Sequence, residues 1–238
     1  MPIKIGINGF GRIGRNFYRA VAKQGADMEI VAVNDLGDTA TMAHLLKHDS
    51  VHGNLPNEIS AEDSGIMIDG QMLQVLSERN PQDLPWSDLG VDVVIESTGI
   101  FTDREKANMH LEAGAPLVIV SAPANGADAT FVVGVNDSEF DKEKHTVISN
   151  ASCMTNCFVQ MVQVLDDAFG VEKGLMTTVH AYTGDQSLVD GPHGDLRRAR
   201  ASAVNIIPTS TGEARATGLV MQAISGKLDG ISLRVTIP

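Results

Sequence analysis

The stretch "GINGFGRIG", residues 6–14, decides the fold of this chain. It follows the short apolar run "IKIGI" (3–7) and opens the amphipathic run "RIGRNFYRAVAKQG" (12–25), and a second apolar run, "EIVAVN" (29–34), comes next. Short apolar runs on either side of an amphipathic one are typical of a strand, a helix and a second strand. The glycines lie at the turn between the first strand and the helix, which is the pattern of a mononucleotide-binding unit.

The three glycines and one acidic residue give this turn a specific chemistry. Gly9 permits a tight turn, Gly11 allows the backbone to approach a pyrophosphate, and Gly14 allows the helix to pack closely on the sheet. The helix start offers unpaired N–H groups to the phosphates. Asp35, which follows the second strand, can accept hydrogen bonds from both ribose hydroxyls of NAD and would repel the 2'-phosphate of NADP. We therefore predict an NAD site; the alternative is a glycine turn that serves packing alone.

The remainder of the first 150 residues continues this alternation. Further apolar runs lie at 91–97, 116–122 and 130–136, and amphipathic runs lie at 39–49 and 103–114. Apolar strands with few polar interruptions are what a sheet covered on both faces requires. We predict an α/β domain over residues 1–150, with a Rossmann-type, doubly wound and mainly parallel sheet that binds NAD.

The texture changes after residue 150. The sequence predicts a helix from Cys153 to Phe169 that stops at Gly170, and strands near 174–183 and 231–237. A basic, irregular stretch at 191–202 and a helical run at 210–224 lie between those strands. We predict an α+β catalytic domain over residues 151–238. Because its last apolar strand reaches the chain end with no polar tail, we expect this domain to be incomplete at its C-terminal side.

Composition limits the partners. The 238 residues carry a formal net charge of −12, so the average surface repels nucleic acid and anionic membranes. No run approaches the length of a membrane helix, and the amino terminus lacks a secretory apolar region. The two cysteines form neither a disulfide framework nor a zinc motif, and we expect no metal. These features favour a cytoplasmic protein in which any anionic ligand is held by a local site.

Both cysteines lie in "NASCMTNCF", residues 150–158. Cys153 begins the predicted helix, where the positive end of the macrodipole favours a thiolate, whereas Cys157 lies one turn further in and is expected to be core. Core packing is the alternative for Cys153 as well. His180, near the end of a predicted strand, is a candidate base, and its combination with Cys153 and a dinucleotide site favours a reactive thiol.

Eight motifs resemble one enzyme family. They are "INGFGRIGR", "AVNDL", "LLKHDSVHG", "VIESTG", "VISNASCMTNC", "TTVHAYTGDQ", "DLRRARA" and "IIPTSTG". In their order and spacing they resemble phosphorylating glyceraldehyde-3-phosphate dehydrogenase over the whole chain. The resemblance implies oxidation of glyceraldehyde 3-phosphate to 1,3-bisphosphoglycerate in glycolysis, with NAD and inorganic phosphate as the other reactants. It also implies a homotetramer with the basic loop at subunit contacts.

The resemblance assigns roles to residues at matching positions. Cys153 is expected to form a hemithioacetal and then a thioester, with His180 as general base. Positions expected to bind NAD are Gly9, Gly11, Arg12, Ile13, Gly14, Asn34, Asp35, Arg79, Ser97, Thr98, Gly99 and Ser121. Substrate phosphate is expected at Thr183, Arg198 and Arg234, and inorganic phosphate at Ser152, Thr211, Gly212 and Arg234. Without the resemblance, the arginines of "RRAR" are better explained as a solvated basic loop.

Three departures from the family pattern matter. Met154 stands where the family usually has threonine after the nucleophile, so we expect one hydroxyl contact to inorganic phosphate to be missing. Gly191 replaces a leucine common in NAD-specific members, although Pro192 agrees with them. The resemblance ends at Pro238, whereas family members continue; we expect a chain of this extent to bind dinucleotide weakly and to turn over little. An erythrose-4-phosphate dehydrogenase and a non-catalytic dinucleotide-binding fragment are the alternative functions.

Overall fold

A computed structural model describes the backbone of residues 1–238 and all side chains except those of residues 213–215. The chain divides into two compact units. Unit 1 comprises residues 1–131 and 139–152, and unit 2 comprises residues 132–138 and 153–238. The boundary between functional domains at 150/151 stays a prediction.

Unit 1 contains most of the strands. Its elements are β1 (Ile3–Asn8), α1 (Arg12–Gln24), β2 (Met28–Asn34), α2 (Thr39–Lys47), β3 (His48–Asp49), β4 (Gly53–Asn54), β5 (Ile59–Glu62), β6 (Gly65–Ile68), β7 (Gln71–Leu76), α3 (Trp86–Leu89), β8 (Val93–Glu96), α4 (Arg104–Glu112), β9 (Leu117–Val120), β10 (Ala129–Thr130) and β11 (Val147–Ser149). The 3₁₀ turn Pro81–Asp83 also belongs to unit 1, and a second 3₁₀ turn, Asp137–Glu139, spans the point where the chain passes from residues of unit 2 back to unit 1. Gly25 ends α1 in the left-handed conformation, as expected of a helix C-cap glycine.

The nine-stranded sheet of unit 1 has the order β10-β11-β9-β8-β1-β2-β7-β6-β5. The strands from β10 to β7 pair in parallel, and β5 and β6 are added as antiparallel hairpins. In the sheet β2 lies on one side of β1, and β8, which comes later in the chain, lies on the other side. That reversal of strand order opens a crevice at the carboxyl ends of β1 and β8, where open α/β sheets bind ligands.

Apolar side chains cover both faces of this sheet. Ala32 and Val94 belong to one buried cluster, which also holds Trp86. Their chain neighbours Val33 and Ile95 belong to a second cluster on the opposite face. Successive side chains of a strand point to opposite faces of the sheet. Because such neighbours are buried in two different clusters, both faces of the sheet are covered. The Rossmann-type, doubly wound fold is confirmed.

Two features of this region differ from the sequence-based prediction. The expected strand at 130–136 is wrong: only Ala129–Thr130 forms a strand, and residues 133–136 form a turn. Gly134 takes φ +83° there, and the N–H of Val132 donates to Asn136 Oδ1 at 2.9 Å, so local turn chemistry overrides the apolar run. The antiparallel hairpins β5–β7 were not predicted, because their exposed positions interrupt the apolar pattern.

Unit 2 combines a small sheet with two helices. Its elements are α5 (Cys153–Phe169), β12 (Gly174–Ala181), the 3₁₀ turn Ser202–Val204, β13 (Ile207–Thr209), α6 (Glu213–Val220), the 3₁₀ turn Gln222–Ile224 and β14 (Leu228–Val235). The strand order is β12-β14-β13, with β12 parallel and β13 antiparallel to β14. Gly170 follows α5 with φ +72°, which agrees with the predicted helix end. No helix in the described chain is both long and apolar enough to span a membrane.

Candidate active site

The glycines of the first turn meet steric demands that side chains would violate. Gly9 takes φ +91°, and a Cβ built on it would lie 2.7 Å from the backbone nitrogen of Thr98. A Cβ on Gly14 would collide with the carbonyl oxygen of Gly9, so the helix could not pack so closely on the turn. Nothing described lies within 4 Å of a Cβ built on Gly11, which leaves its backbone open to a ligand.

The N-terminus of α1 suits a pyrophosphate. Gly11 is the N-cap, and no side chain caps the first N–H groups of this 13-residue helix. Unpaired helix N–H groups and the helix dipole favour an anion at this end. Arg12 follows in the first turn and forms an ion pair with Asp49 (Nη1 to Oδ2, 3.0 Å), whereas Ile13 is exposed. Hydrogen bonds from the His52 and Val51 N–H groups, with Arg12, lower the pKa of Asp49 to about 2.

Asp35 is held beside the same turn. Its Oδ2 accepts a hydrogen bond from the N–H of Phe10 at 2.8 Å, and its Oδ1 accepts one from the N–H of Gly37 at 2.9 Å. Each carboxylate oxygen has a second lone pair, so a ribose hydroxyl can still donate to it. Asn34, which precedes it, is buried and donates from Nδ2 to Asn8 Oδ1 at 2.7 Å.

The other predicted cofactor residues follow neighbouring strands of the sheet. Ser97 and Thr98 come directly after β8, and Ser97 Oγ donates to the carbonyl oxygen of Gly9 at 2.7 Å. Gly99 follows with φ +74° and is exposed. Ser121 comes after β9, and its N–H donates to the carbonyl oxygen of Glu96 at 2.9 Å.

We name residues 9–14, 34–35 and 97–99 the dinucleotide cradle. Parallel pairing of β2, β1 and β8 brings these three segments to one edge of the sheet. Arg79 lies in the loop after β7, which pairs with β2, and its side chain is exposed. The open backbone at Gly11, the uncapped helix end and the carboxylate at Asp35 together fit NAD.

In unit 2 the predicted nucleophile and base are in contact. Cys153 is the first residue of α5, and its Sγ lies 3.1 Å from Nε2 of His180 on β12. The positive end of the α5 dipole lies at this helix position. An imidazole nitrogen at hydrogen-bond distance can take the proton of the thiol or of a group bound to the sulfur. The two side chains predicted from sequence therefore form a nucleophile–base pair.

Arg234 lies on the far side of the His180 ring. Its Nη1 is 2.8 Å from His180 Nδ1 and 3.2 Å from the carbonyl oxygen of Ala181, which is itself 2.7 Å from Nδ1. A guanidinium only donates, so its bond to Nδ1 places the ring proton on Nε2, facing sulfur. A bond from Nδ1–H to Ala181 instead leaves Nε2 as an acceptor. The ring can therefore present either a donor or a base to Cys153.

The sheet register brings His180 and Arg234 together. His180 pairs with Arg234 where β12 runs parallel to β14, and paired residues of adjacent strands present side chains on the same face. Burial lowers the pKa of Arg234 from its ordinary value, and the charge of Cys153 opposes that shift. A cation is thus held within the field of the reactive sulfur.

Arg198 and its neighbours place more charge in unit 2. Arg198 Nη1 donates to Asp185 Oδ2 at 2.7 Å, and Asp195 lies 3.8 Å from its Nε. Arg198 Nε is buried and makes no hydrogen bond with any described residue. Both Arg198 and Asp185 act electrostatically on Arg234. Sequence reasoning missed Asp185, whose signal was its position in "TTVHAYTGDQ" beside His180.

The other residues predicted to bind phosphate are Ser152, Thr183, Thr211 and Gly212. Thr183 is exposed, and its backbone N–H donates to Gln186 Oε1 at 3.3 Å. Gly212 is the N-cap of α6, directly after Thr211, so both lie at a helix N-terminus. Ser152 precedes Cys153 and is the last residue of unit 1. Their roles stay predictions.

The expectation that Cys157 is core is wrong. Cys157 is exposed, as are Met161, Val164 and Leu165, which share its side of α5. The helix packs instead through Thr155, Val159 and Val162, which are all buried. The apolar residues on two sides of α5 made either side a candidate for the core. Cys153, Cys157 and His180 line one cleft of about 460 Å³.

Met154 turns toward the strand that carries Arg234. Its sulfur lies 3.9 Å from the hydroxyl of the buried Ser232, two residues before Arg234 on β14. A thioether is a weak acceptor and no donor, so it cannot supply the hydrogen bond that a threonine hydroxyl would give to a phosphate.

Among the described side chains, no group of three His, Cys, Asp or Glu residues is placed to hold a metal ion.

Comparison with known proteins agrees with this geometry. Residues 3–104 match the family model for the glyceraldehyde 3-phosphate dehydrogenase NAD binding domain, and residues 152–238 match the model for its C-terminal domain. Glyceraldehyde-3-phosphate dehydrogenase of Streptomyces coelicolor is 61% identical over all of this chain and 71% of its own length. The chain belongs to the glyceraldehyde-3-phosphate dehydrogenase family.

Other members of the glyceraldehyde-3-phosphate dehydrogenase family give similar values. Glyceraldehyde-3-phosphate dehydrogenase 2 of Streptomyces avermitilis is 60% identical, with all of this chain and 71% of the relative covered. The enzyme named glyceraldehyde-3-phosphate dehydrogenase in Mycolicibacterium smegmatis is also 60% identical, with 72% of its length covered. The resemblance predicted from the eight motifs is confirmed, and NAD is the cofactor of the matched domain.

Proposed function

We propose that this chain catalyses the NAD-dependent oxidative phosphorylation of glyceraldehyde 3-phosphate to 1,3-bisphosphoglycerate in glycolysis, with Cys153 as nucleophile and His180 as general base. The observation that carries the proposal is the 3.1 Å contact between Cys153 Sγ and His180 Nε2. Membership of the glyceraldehyde-3-phosphate dehydrogenase family and the cradle in unit 1 support it.

The first half of the reaction oxidises the aldehyde while it is bound to sulfur. The thiolate of Cys153 adds to the aldehyde carbon, and the carbonyl oxygen takes the proton held by His180 Nε2 to become the hydroxyl of a hemithioacetal. His180 Nε2 then accepts that hydroxyl proton as the carbon loses a hydride and becomes a thioester. Bound NAD supplies the hydride acceptor.

The second half releases the acyl group to phosphate. An oxygen of inorganic phosphate attacks the thioester carbon, the carbon–sulfur bond breaks, and the thiolate of Cys153 leaves. The N-terminus of α5 stabilises that thiolate, and a protonated Nε2 can donate to it. Because a thioester retains the free energy of oxidation, the acyl phosphate forms without another energy source.

Local cations offset the net charge of −12 where anions bind. We assign the substrate phosphate to Thr183, Arg198 and Arg234, and inorganic phosphate to Ser152, Thr211, Gly212 and Arg234. The buried Arg198 Nε without a hydrogen-bond partner among the described residues supports an anion site, since buried donors are normally paired. Arginine forks suit phosphate oxygens.

We also infer a cytoplasmic homotetramer with the basic loop at subunit contacts. Both thiols are free and exposed, which suits a reducing compartment. Large apolar side chains around the basic loop are exposed, namely Leu188, Val189, Leu196, Val204 and Ile206. An exposed group of this kind is typical of a protein–protein contact. Sedimentation equilibrium of the purified chain tests the tetramer.

A spectrophotometric assay of NADH formation tests the activity. Any NADH that the purified chain forms should require both glyceraldehyde 3-phosphate and inorganic phosphate. Cys153→Ser should abolish this activity, whereas Cys157→Ser, the matched control one helical turn further on, should retain it. Activity that survives Cys153→Ser contradicts the proposal, and faster turnover of erythrose 4-phosphate would favour the alternative substrate.

A further inference from the structure

A buried polar network lies directly beneath the dinucleotide cradle of unit 1. Its members are Asn8, Asn34, Trp86, Glu96 and His110, each 4% exposed or less. Burying polar groups costs free energy unless every one is hydrogen-bonded, and a fully paired network fixes the local structure. Glu96 and His110 take no part in the proposed chemistry. The presence of a buried carboxylate, Glu96, at the end of the apolar strand β8 therefore needs another explanation.

One arm of the network begins at Trp86. The indole Nε1–H of Trp86 only donates, and it lies 3.0 Å from His110 Nδ1, which must therefore accept. The proton of the neutral imidazole then sits on Nε2, which donates to Glu96 Oε2 at 3.0 Å. Trp86 thus fixes the tautomer in which His110 presents a donor to Glu96.

The other arm begins at the backbone of Glu78. Its N–H donates to Asn34 Oδ1 at 2.7 Å, and its carbonyl oxygen accepts from Asn34 Nδ2 at 2.8 Å, which fixes the orientation of that amide. Asn34 Nδ2 also donates to Asn8 Oδ1. Asn8 must therefore turn Nδ2 toward Glu96, and it donates to Oε2 at 2.6 Å.

The remaining oxygen of Glu96 holds the loop after β8. Its Oε1 accepts from the N–H of Thr98 at 2.8 Å and from the Thr98 hydroxyl at 2.5 Å. Four donors therefore converge on one side chain, two on each oxygen. Only a group that accepts on both oxygens satisfies them, so a carboxylate fits and the isosteric amide does not.

From this convergence we propose that Glu96 is a positioning residue for NAD. Through Thr98 it holds the 97–99 segment of the cradle, and through Asn8 and Asn34 it holds the ends of β1 and β2 on the other side. The spacing is tight, because the Thr98 nitrogen lies only 2.7 Å from a Cβ position on Gly9. The inference rests on the proposed function, since it assumes that NAD occupies this cradle.

The variant Glu96→Gln tests the role with little change of shape. Its amide would direct two N–H donors at groups that already donate, and the 97–99 segment should move. We expect the Kd for NAD to rise about 10-fold to 100-fold, as expected for a lost set of hydrogen bonds to a charged group. The rate of Cys153 alkylation without NAD should stay unchanged, because Cys153 belongs to unit 2.

Ile66→Ala is the matched control for a loss of stability alone. Ile66 is fully buried in unit 1 on β6, which lies two strands away from the cradle strand β2. This variant should lower the unfolding temperature but leave the Kd for NAD, measured on folded protein, within about twofold of wild type. A purely structural role for Glu96 would make Glu96→Gln behave in the same way.

A pair of substitutions at His110 keeps the test decisive if Glu96→Gln fails to fold. Gln at 110 can accept from Trp86 and donate to Glu96, whereas Met has similar volume, accepts only weakly and cannot donate. His110→Met should raise the Kd for NAD, and His110→Gln should restore much of the affinity. Equal Kd values for wild type, Glu96→Gln and His110→Met overturn the inference and leave the proposed function intact. A wild-type chain that binds no NAD overturns both.

Discussion

His180 and Cys153 meet at the junction of a strand and a helix, with Nε2 of the imidazole 3.1 Å from the sulfur. The other ring nitrogen contacts both Arg234 and the carbonyl oxygen of Ala181. One of these partners donates and the other accepts, so either tautomer of the ring finds a hydrogen bond. This arrangement suits a group that must take up a proton and return it within one catalytic cycle.

Removing the imidazole of His180 should change two measurable quantities, the kcat of the enzyme and the pH dependence of Cys153 alkylation. His180→Gln should lower kcat by about 100-fold to 10,000-fold, because no base remains for the hemithioacetal proton. The pH profile of the Cys153 alkylation rate, measured from pH 5 to 10, should also change, because the sulfur loses the imidazole that it contacts at 3.1 Å.

The control for that measurement is Cys157, which lies one turn along α5 from Cys153. In a Cys153→Ser background, the alkylation profile of Cys157 should be the same with and without His180. Identical profiles for Cys153 in wild type and His180→Gln would remove the histidine from its role as base.

The fold of unit 1 could be predicted because its signals are local. Gly9, Gly14 and Asp35 belong to one continuous strand–turn–helix–strand segment, and each has a steric or electrostatic reason for its position. The strand predicted at 130–136 failed because apolar content alone does not distinguish a strand from a turn closed by Gly134 and Asn136.

The candidate site of unit 2 could be predicted only in part, because its contacts join distant segments. The position of Cys153 at the start of the helix indicated that it was reactive. The prediction that Cys157 is buried was wrong, because apolar residues occupy two sides of α5 and the sequence did not show which side packs on the core. The contact of Arg234 with His180 depends on the pairing of β12 with β14, which no local pattern specifies. The convergence of donors on Glu96 likewise appears only once the ends of β1 and β8 and the helix α4 are brought together.

Met154 should limit the use of inorganic phosphate. Its thioether lies near Ser232 on the strand that carries Arg234 and offers no donor to an anion. Met154→Thr should lower the KM for phosphate, by roughly the 2-fold to 10-fold of one neutral hydrogen bond, with little change in the KM for NAD. Met154→Leu, which adds no hydroxyl, should leave the phosphate KM unchanged. A phosphate KM that is the same in wild type and Met154→Thr counts against a role for this position.

Asp35 should decide between NAD and NADP. The carboxylate is held beside the glycine turn by the N–H groups of Phe10 and Gly37, so it has little freedom to turn away. Asp35→Asn should weaken NAD binding about 10-fold, because a hydrogen bond to a charged group is lost. NADP binding should change less or improve, because the repulsion of its 2'-phosphate is removed. Calorimetric titration of both nucleotides measures the ratio, and equal losses for the two would contradict this role of the charge.

The charge of Asp49 should make the free energy of unfolding depend on pH in the acidic range. Hydrogen bonds from the His52 and Val51 N–H groups, with the Arg12 ion pair, lower the folded-state pKa of Asp49 from 3.8 to about 2. A lowered folded pKa means that the charged form stabilises the folded state above pH 4, and that this stabilisation is lost as the pH falls toward 2. Urea unfolding of wild type and Asp49→Asn between pH 7 and pH 2 isolates the effect, since other carboxylates are common to both proteins. The difference in their free energies of unfolding should be constant from pH 7 to 5 and should shrink below pH 4. A difference that does not change over this whole range would show that the charge of Asp49 contributes nothing to stability.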